Sequence, residues 1–469
     1  MKYALRHRQP HMVAEVFQHW KAGKKRVFMQ CPTSGGKTIM FNHIANLCEK
    51  KGYRVLIICD RRELIMQSWQ KLWDGHGIHA GIILSGVSPS YQLPVQVGSI
   101  QTLSNRNFPP GIDLVIIDEA RSCVSPSYAP IFEFYRDAHF LGVDATPVRT
   151  NGQGFDHLFD EMVLGPSIKE MEAMGALVPA RSCINPINQT QLDRIGKVAG
   201  DYNEGELAKV MQGEGIMANL VKSKIKHAAG LSTIAFAVNI AHSVSIAEKY
   251  RKAGISAMHV DGDTPTTDRD LIFKNHAAGR FEVLVNVGIA TYGFDGPYIR
   301  CVQDAAPTLS LARYLQKLGR GARLYPGHVK DCYIHLDHAN GIGTHGAPNA
   351  DRKWSLKGKE KAKAKPRQFK INLNGVSKVV TARDFPSEME GVTLEEIDEA
   401  TILFWSNCKE FDKIHESIRR GGKKPILAYL RYVSKHREKC GINELRYIER
   451  QLGFKPGFAE IRYRQLNER

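Results

Sequence analysis

The sequence has 469 residues, of which 43% are hydrophobic, and this is enough for two or three domains with real cores. Length and composition together therefore exclude a disordered polymer. The net charge is +17 and the pI is near 9.4, which favours an anionic polymer as partner. Ten of the 17 excess positive charges fall in residues 351–469.

Cysteine usage and the N-terminus indicate the compartment. The nine cysteines are scattered without a C-x-x-C pair, so neither a zinc ribbon nor a disulfide framework is indicated, and we expect buried thiols of a reducing cytoplasm. The opening MKYALRHRQPH lacks the apolar core of a signal peptide, and no stretch approaches the roughly 18 apolar residues of a membrane span. We expect a cytoplasmic protein with no zinc and no membrane partner. The cysteines are Cys31, Cys48, Cys59, Cys123, Cys183, Cys301, Cys332, Cys408 and Cys440.

Short β-rich runs alternate with helical patterns through about residue 340. Apolar strands separated by helix-length connections are typical of a parallel sheet covered on both faces, so the pattern predicts an α/β fold that occurs twice. Within residues 169–180, the sequence predicts a helix that ends near Gly175 and is followed by a connection. We therefore place the boundary between the two lobes near residue 165. The predicted strands are 26–31, 54–59, 113–118, 139–144, 232–237, 282–287, 299–305 and 331–336.

The chain changes character after residue 340. Residues 351–370 form a basic run with Pro366 that predicts a linker or an exposed strand edge, and a solvated connector is favoured over a dedicated nucleic-acid contact. Helical periodicity returns at 394–405 and 424–437. The predicted regions are two α/β lobes at 1–165 and 166–340, a basic linker or extension at 341–393, and a small basic, mainly helical domain at 394–469.

The segment CPTSGGKT (31–38) joins a predicted strand to a predicted helix. A glycine-containing loop there directs backbone N–H groups and the positive end of a helix dipole at one point, which suits a polyphosphate. Lys37 would reach the β and γ phosphates, and Thr38 would bind Mg²⁺. Cys31 replaces the first glycine of the common pattern. The other loop residues expected around the phosphates are Pro32, Thr33, Ser34, Gly35 and Gly36.

The segment DLVIIDEARS (113–122) ends a predicted buried strand with two adjacent acids. Adjacent carboxylates repel and lose hydration, so a cation or a reaction is expected to use them. With a phosphate loop upstream, Asp118 can hold Mg²⁺ and Glu119 can orient and deprotonate the attacking water.

The ordered set of motifs resembles the superfamily 2 helicases of the DEAD/DEAH type, in particular phage and bacterial ATP-dependent helicases. The resemblance covers about 320 residues and implies two RecA-like lobes that use ATP and Mg²⁺. The matching segments are LRHRQ (5–9) for the adenine-reading segment, CPTSGGKT (31–38) for motif I, CDRRELIMQSW (59–69) for motif Ia, GSIQTL (98–103) for motif Ib, DEAR (118–121) for motif II, DATPVR (144–149) for motif III, IAFAVN (234–239) for motif IV, GIATYGFDGP (288–297) for motif V and QKLGRGAR (316–323) for motif VI.

This resemblance implies roles for further residues near the nucleotide. Arg6 and Gln9 would read the adenine, while Gly293 and Asp295 would link the nucleotide to the nucleic-acid face. Motif II normally ends in His or Asp, so the role of Arg121 is an open question.

Motif VI would supply side chains from the second lobe. The spacing of Gln316, Arg320 and Arg323 predicts one face of a helix aimed into the cleft, and the arginines would neutralise charge on the transferred phosphoryl group. Gly319 and Gly321 are poor choices inside a helix unless another contact requires them. His259 and His276, which have no metal-spaced partner, are interpreted as packing residues.

Nucleic acid would contact loops of both lobes, mainly through its backbone. The residues that the motifs place there are Arg61, Thr102, Asn239 and Thr291. Some relatives carry a four-cysteine zinc ribbon where residues 370–385 of this chain have no cysteine. A basic patch at Arg419, Arg420, Lys423 and Lys424 is a further contact or, equally, a solvated turn.

The expected function is that of an ATP-dependent DNA helicase or translocase, acting on single-stranded, duplex or branched DNA. By resemblance it would serve phage or mobile-element replication, recombination or repair, in the host cytoplasm if encoded by a phage, with replication or recombination proteins as possible partners. Two alternatives stay open at this point. One is an RNA helicase, and the other is a nucleic-acid-binding clamp or scaffold whose ATPase the Arg121 change impairs.

Overall fold

A computed structural model of the protein describes residues 4–149, 152–184, 189–289 and 296–358, the strand residues 368–373, 376–381 and 395–396, and single residues between 414 and 461. The chain divides into two compact units. One consists of residues 1–366 with 382–393, and the other of residues 367–381 with 394–469. Within the described ranges, none of the helices combines the length and the apolar character that crossing a bilayer needs.

The first lobe is a seven-stranded parallel sheet of order β3-β4-β2-β5-β6-β1-β7. Its central strands are buried along their whole length because helices cover both faces. Val27 and Met29 pack towards α1, α2 and α3, whereas Phe28 packs towards α5 on the opposite face. The strands are β1 (Arg26–Gln30), β2 (Val55–Cys59), β3 (Gly81–Ile83), β4 (Val95–Ser99), β5 (Leu114–Asp118), β6 (His139–Asp144) and β7 (Glu161–Leu164), and the helices are α1 (Gln9–Lys21), α2 (Lys37–Glu49), α3 (Arg62–His76), α4 (Ile100–Leu103) and α5 (Ala129–Phe134), with 3₁₀ turns at Ala120–Val124 and Pro126–Tyr128.

The second lobe is a six-stranded parallel sheet of order β12-β13-β11-β14-β15-β8, with a small hairpin of β9 and β10 beside it. The first sheet ends at Leu164 and the second begins at Ala180, so the change of lobe falls between them. Its strands are β8 (Ala180–Ile184), β9 (Lys197–Val198), β10 (Asp201–Tyr202), β11 (Thr233–Phe236), β12 (Ala257–Val260), β13 (Val283–Asn286), β14 (Cys301–Asp304) and β15 (Tyr333–Asp337), and its helices are α6 (Ile168–Ala173), α7 (Gln189–Asp193), α8 (Glu204–Met211), α9 (Glu214–Ala228), α10 (Ile240–Lys252), α11 (Thr266–Ala277), α12 (Leu311–Leu318) and α13 (Gly341–His345).

These two sheets confirm the predicted α/β class, and each of the eight predicted strands is present to within two residues at either end. The helix predicted to begin near residue 169 and to end near Gly175 is α6, which ends at Ala173. The seven described cysteines are free thiols, and most are buried. Cys408 and Cys440 lie outside the described residues.

After α13 the chain returns to the first lobe as the return segment (residues 346–358). The Tyr314 hydroxyl donates to Gly346 O at 3.0 Å, which fixes the start of the segment to the second lobe. Phe155 N donates to Leu356 O at 2.6 Å, and Gln153 bridges to Gly358, which fixes its end to the first lobe. The return segment therefore ties the two lobes together.

The second unit contains a three-stranded antiparallel sheet of order β17-β16-β18, formed by β16 (Gln368–Leu373), β17 (Val376–Thr381) and β18 (Glu395–Glu396). The predicted linker over 341–393 thus includes a hairpin. Period-2 alternation of apolar residues in 369–373 and the Asn-Gly pair at 374–375 favour a hairpin in the sequence.

The helix predicted over 394–405 is wrong at its start, because Glu395 and Glu396 pair with Lys370 and Phe369 as a strand. Further along, Tyr432 packs with Leu445, Ile448 and Ala459 in a small core. The basic patch at 419–424 lies outside the described residues.

Candidate nucleotide site

The loop between β1 and α2 has the geometry of a phosphate-binding loop. Gly35 N donates to Pro32 O at 2.9 Å, and Gly36 precedes the first residue of α2 with φ +85°. Lys37 Nζ donates to Cys31 O at 3.3 Å, so the ammonium group lies against the loop. The turn and the N-terminus of α2 together give the loop the N–H donors and the positive dipole end that favour phosphate binding.

Cys31 replaces the usual first glycine and packs inside the loop. Burial raises the pKa of its thiol to about 11, so the side chain is neutral. A Cβ on Gly35 would lie 2.4 Å from Cys31 Sγ, so the sulfur occupies the space that a side chain at residue 35 would need. The substitution is therefore accommodated by a glycine four residues later.

The predicted adenine-reading residues differ in how they reach the loop. Gln9 Nε2 donates to Gly35 O at 2.9 Å, and Gln9 Oε1 accepts from Arg6 N at 2.9 Å. A Cβ on Gly36 would lie 2.3 Å from Gln9 Nε2, which accounts for a second glycine. Gln9 thus contacts the phosphate loop directly, whereas the exposed Arg6 contributes a backbone N–H.

The two acids lie where β5 ends. Asp118 is buried, its Oδ1 accepts from Glu119 N at 3.0 Å, and Glu119 has φ +52°. Burial and then the Glu119 carboxylate raise the pKa of Asp118 to about 7. Burial acts to raise the pKa of Glu119 as well, but the charges of Arg121, Lys37 and Arg320 outweigh it, and that pKa is lowered. The pair therefore carries carboxylates with divergent pKa values.

Arg121 connects motif II to motif III. One guanidinium nitrogen is 2.6 Å from Glu119 Oε2, another is 2.9 Å from Asp144 Oδ1, and Arg121 N donates to Asp144 Oδ2 at 2.9 Å. Asp144 is fully buried at the end of β6, adjacent to β5 in the sheet. The residue in doubt at the end of motif II is thus a two-pronged bridge between the hydrolytic carboxylate and the motif III aspartate.

The second lobe reaches the acids through α12. Gln316 Nε2 donates to Glu119 Oε2 at 2.9 Å, which brings the predicted motif VI glutamine and motif II together. The Arg320 charge acts on the same carboxylate. Arg323 Nε donates to Ser34 Oγ of the phosphate loop at 3.0 Å. Gln316, Arg320 and Arg323 are therefore all brought to the first lobe's nucleotide loops.

The helical-face prediction for these three residues is wrong. The helix α12 ends at Leu318, so Arg320 and Arg323 lie in the turn that follows it. A Cβ on Gly319 would be 2.4 Å from Thr33 Cγ2, and one on Gly321 would be 2.3 Å from the Tyr333 ring. The glycines allow close contacts with the phosphate loop and with β15, and these contacts break the helical spacing.

The donor set fits Mg²⁺ bound together with ATP. Over the described part of the chain, no three His, Cys, Asp or Glu side chains group to hold a metal ion by themselves. Mg²⁺ with a nucleotide needs few protein ligands because phosphates and water supply the rest. The Thr38 hydroxyl in the first turn of α2 and the Asp118 carboxylate are the oxygen ligands available there.

The residues predicted to contact nucleic acid are spread over both lobes. Arg61 precedes α3 and is partly exposed, whereas Thr102 is largely buried in the short helix α4. Asn239 caps α10 by accepting from His242 N at 2.9 Å. Thr291 lies outside the described residues, as do Gly293 and Asp295. These nucleic-acid assignments stay predictions.

The structure adds an interlobe pair that sequence reasoning missed. Arg269 on α11 donates to Glu63 on α3 at 2.8 Å, and Glu63 lies within motif Ia, two residues after Arg61. No local pattern marks this pair because its partners are 206 residues apart. The two histidines interpreted as packing residues have contacts within the second lobe. His259 bonds to Ser243 and Asp261, and His276 stacks on Phe281.

A cavity of about 440 Å³ lies beside the phosphate loop. It is lined by Pro32 and Thr33 of the loop, Leu315 of α12 and Trp354 of the return segment. Asp118, Glu119 and Lys37 do not line this cavity, so the groups expected to act in hydrolysis lie outside it.

Comparison with known families agrees with this geometry. Residues 2–149 match the family described as "Type III restriction enzyme, res subunit", and residues 216–325 match "Helicase conserved C-terminal domain". The chain belongs to the superfamily 2 helicases. It is an enzyme of the nucleic-acid-dependent ATPase class, and the predicted tandem RecA-like lobes are confirmed.

Its relatives include a phage protein and two fungal proteins. The "51.5 kDa protein" of Lactococcus phage (isolate 7-9) is 31% identical over 327 residues, covering 70% of this chain and 68% of the phage protein. IRC3 of Saccharomyces cerevisiae, described as a candidate ATP-dependent helicase, is 30% identical, covering 70% of this chain. The chain spans half the length of IRC3 and 58% of the corresponding Schizosaccharomyces pombe protein.

Solved structures share the fold at low identity. A fragment described as a candidate HsdR subunit of a type I restriction enzyme from Vibrio vulnificus YJ016 has TM-score 0.58 and 19% identity, over 74% of this chain and 66% of that one. The ATP-dependent Type ISP restriction-modification enzyme LlaBIII bound to DNA has TM-score 0.55 and 16% identity, over 72% of this chain and 28% of that one. These likenesses concern the arrangement of the two lobes.

Proposed function

We propose that the protein is an ATP-dependent DNA helicase or translocase in which ATP hydrolysis drives closing and opening of the two lobes. The observation that carries this proposal is the 2.9 Å hydrogen bond from Gln316 of the second lobe to Glu119 of the first. A hydrolytic carboxylate bonded by both lobes changes its surroundings whenever the lobes separate. Turnover is thereby coupled to lobe movement.

The site residues divide the work of hydrolysis. The loop 32–36 and Lys37 hold the β and γ phosphates, with Thr38 and Asp118 as ligands of Mg²⁺. When bound, Mg²⁺ offsets phosphate charge. Glu119 orients and deprotonates the attacking water, and its contact with Gln316 sets its direction. Arg320 and Arg323 neutralise charge that develops on the γ-phosphoryl group, an effect of roughly 10³ to 10⁵ in rate for arginine fingers.

DNA is proposed as the polymer because of the families that this chain resembles and because of its positive net charge. The first lobe matches a restriction-enzyme family, and the similarly folded LlaBIII is described as bound to DNA. The net charge of +17 suits a nucleic-acid backbone. The similarity to a Lactococcus phage protein supports a role in phage or mobile-element DNA replication, recombination or repair, in the host cytoplasm.

The clamp alternative depended on Arg121 impairing the ATPase. The Arg121 contacts to Glu119 and Asp144 instead support a role within a working site. An RNA helicase stays as the alternative, and only the polymer that stimulates hydrolysis separates it from a DNA motor.

The first experiment measures steady-state ATP hydrolysis without polymer and with single-stranded DNA, duplex DNA, forked DNA and RNA. We expect stimulation by DNA, and we expect Glu119→Gln to lower the stimulated rate about 10²- to 10⁴-fold because it removes the general base. Lys37→Ala should also lack turnover. The matched control is Glu133→Gln, an exposed glutamate of the same lobe, which should keep the wild-type rate.

Each outcome of this experiment has a defined meaning. Greater stimulation by RNA than by DNA overturns the choice of polymer. A Glu119→Gln protein that hydrolyses ATP at the wild-type rate overturns the assignment of the base. If no polymer stimulates hydrolysis, the nucleic-acid-binding clamp becomes the leading hypothesis.

A further inference from the structure

Ser34 of the phosphate loop has a backbone conformation that disfavours serine. Its φ is +68°, in the left-handed region, which is strained for a residue other than glycine. Glycine adopts this conformation without that strain, and two glycines follow directly at residues 35 and 36. A strained serine beside a nucleotide site calls for a compensating contact.

That contact comes from the second lobe. Ser34 Oγ donates to Gly319 O at 3.1 Å and accepts from Arg323 Nε at 3.0 Å. A hydroxyl group can donate and accept at the same time, which neither glycine nor alanine can do. Gly319 also approaches Thr33 so closely that an added Cβ would be 2.4 Å from Thr33 Cγ2. The phosphate loop and the segment that carries both motif VI arginines are therefore in direct contact.

Fixing Nε of an arginine fixes more than one atom. The guanidinium group is planar and rigid, so a hydrogen bond at Nε together with the position of the chain sets the plane of its terminal nitrogens. Ser34 holds this plane against the loop that cradles the phosphates. At the other end of the site, Gln316 holds Glu119 at 2.9 Å. Each lobe-to-lobe bond thus aligns one group that acts on the same phosphate.

We propose that Ser34 is a positioning residue that docks Arg323 on the phosphate loop when the lobes close, and that this contact offsets its backbone strain. The proposal rests on the proposed function, since it assumes that Arg323 acts on the phosphate. Ser34 works through Arg323, so its effect should disappear when Arg323 cannot make the bond.

A double-mutant cycle tests this dependence. Ser34→Gly relieves the backbone strain and removes the hydroxyl, whereas Ser34→Ala keeps the strain and removes the hydroxyl. We expect both to lower kcat for polymer-stimulated ATP hydrolysis about tenfold with KM for ATP within about twofold, as for an interaction made chiefly in the transition state. In an Arg323→Gln background, the same two changes should alter kcat less than about twofold.

Three kinetic results would overturn the proposal. The first is an unchanged kcat in both Ser34 variants, and the second is an equal loss with and without Arg323. A loss in Ser34→Ala alone would assign the effect to backbone strain, and this too contradicts a positioning role for the hydroxyl.

A binding measurement separates this proposal from the proposed function. Calorimetric titration of the full chain with Mg²⁺, ADP and aluminium fluoride, which together form a transition-state analogue, reports closure without turnover. We expect Ser34→Gly to weaken analogue binding about threefold or more when Arg323 is present and to leave it unchanged in Arg323→Gln. If wild-type protein shows no polymer-stimulated hydrolysis, the proposed function fails while this cycle still decides the docking role. Equal binding in all four proteins would exclude the docking contact.

Discussion

In the first lobe, buried aspartates end two adjacent strands, Asp118 on β5 and Asp144 on β6, and the cations near them serve the nucleotide site. In the second lobe, Asp304 and Asp337 end the adjacent strands β14 and β15 in direct register. These two are satisfied from within their own lobe. The same place in the same kind of sheet therefore has two uses. The role of the neighbouring cation decides which, because Lys37 and Arg121 also contact the nucleotide loops, whereas Lys317 pairs with Asp304 inside the lobe.

The second-lobe aspartates show how complete the internal pairing is. Lys317 Nζ lies 2.6 Å from Asp304 Oδ1, and both side chains are buried. Asp337 accepts three backbone N–H groups, from Ala339, Gly341 and Ile342, at 2.8 to 3.0 Å. Charge changes at the strand-end aspartates and their cations should therefore affect hydrolysis first in the first lobe and stability first in the second.

The largest effect is expected from Lys317→Met. It leaves the Asp304 carboxylate buried without its cation, and breaking one side of a buried ion pair costs about 3–5 kcal/mol. The loss should appear as faster hydrogen exchange in peptides that cover β14 and β15, with first-lobe peptides unchanged. Replacing both partners, Lys317→Met with Asp304→Asn, should recover part of the stability because no unpaired charge remains.

Lys249→Met is the matched control, since Lys249 is exposed on α10 of the same lobe and should tolerate the change. Equal destabilisation by the two lysine substitutions would contradict the internal role of the Lys317–Asp304 pair. Loosening of first-lobe peptides alone would reverse the comparison between the lobes.

A smaller effect is expected from pH and the buried histidines of the second lobe. Burial lowers the pKa of His338 to about 3 and that of His335 to about 4. His338 faces Ser223 and Gln303, and His335 faces Ser182. Because the unfolded chain takes up protons below about pH 6.5 while the folded lobe does not, stability should be full above that pH and fall towards pH 4.

The measurement is the urea midpoint of the second lobe at several pH values between 7 and 4.5, followed by hydrogen exchange. His338→Gln removes one titrating group and should flatten the dependence by up to about 1.4 kcal/mol per pH unit. Burial also raises the pKa of Asp304 and Asp337, and this opposes the trend by favouring proton uptake in the folded lobe. Identical slopes for the wild type and His338→Gln would contradict the assignment to His338.

Sequence patterns predicted eight of the nine interior strands of the two lobe sheets and missed all four edge strands. The interior strand that they missed is β4, in which Gln96 and Gly98 interrupt the apolar run. Runs such as VLIIC in β2 are apolar throughout because helices cover both sides. The edge strand β8 reads ARSCI, with Arg181 and Ser182 in the middle, and the edge strand β12 has four residues, so neither stands out from a loop. Edge strands are specified by their neighbours in the sheet rather than by local composition.

The nucleotide site divides in the same way. Lys37, Asp118 and Glu119 were predicted because each follows a strand within one short motif. The contact of Ser34 with Arg323 joins residues 289 positions apart, and no local spacing encodes it. A weak signal existed, since serine stands before two glycines in a loop that requires left-handed backbone. The helical interpretation of motif VI was wrong because tertiary contacts of Gly319 and Gly321 decided that geometry.

The smallest predicted effect concerns Arg121, whose guanidinium group bonds to the Glu119 carboxylate at 2.6 Å and to the Asp144 carboxylate at 2.9 Å. Arg121→Met should lower kcat about tenfold with KM for ATP little changed, since Glu119 loses one of its two side-chain partners. Arg121→Lys keeps the charge but, having a single ammonium group, cannot reproduce the two-pronged geometry, so it should lie between Met and wild type. Steady-state hydrolysis with the stimulating polymer measures both.

The Arg121 variants also test whether a charge change at the first-lobe strand ends affects stability as well as hydrolysis. Asp144 is fully buried, so Arg121→Met removes its cation as well, while the backbone N–H groups of residues 121 and 146 still donate to it. The first lobe should therefore lose only about 1 kcal/mol, as for one hydrogen bond of several. Tryptophan fluorescence suits this test because three of the five tryptophans, Trp20, Trp69 and Trp73, lie in that lobe. If kcat falls without any loss of stability, Arg121 acts on Glu119 alone. If stability falls while kcat is kept, the bridge is a structural pair like Lys317–Asp304, and the difference between the lobes is smaller than their strand ends suggest.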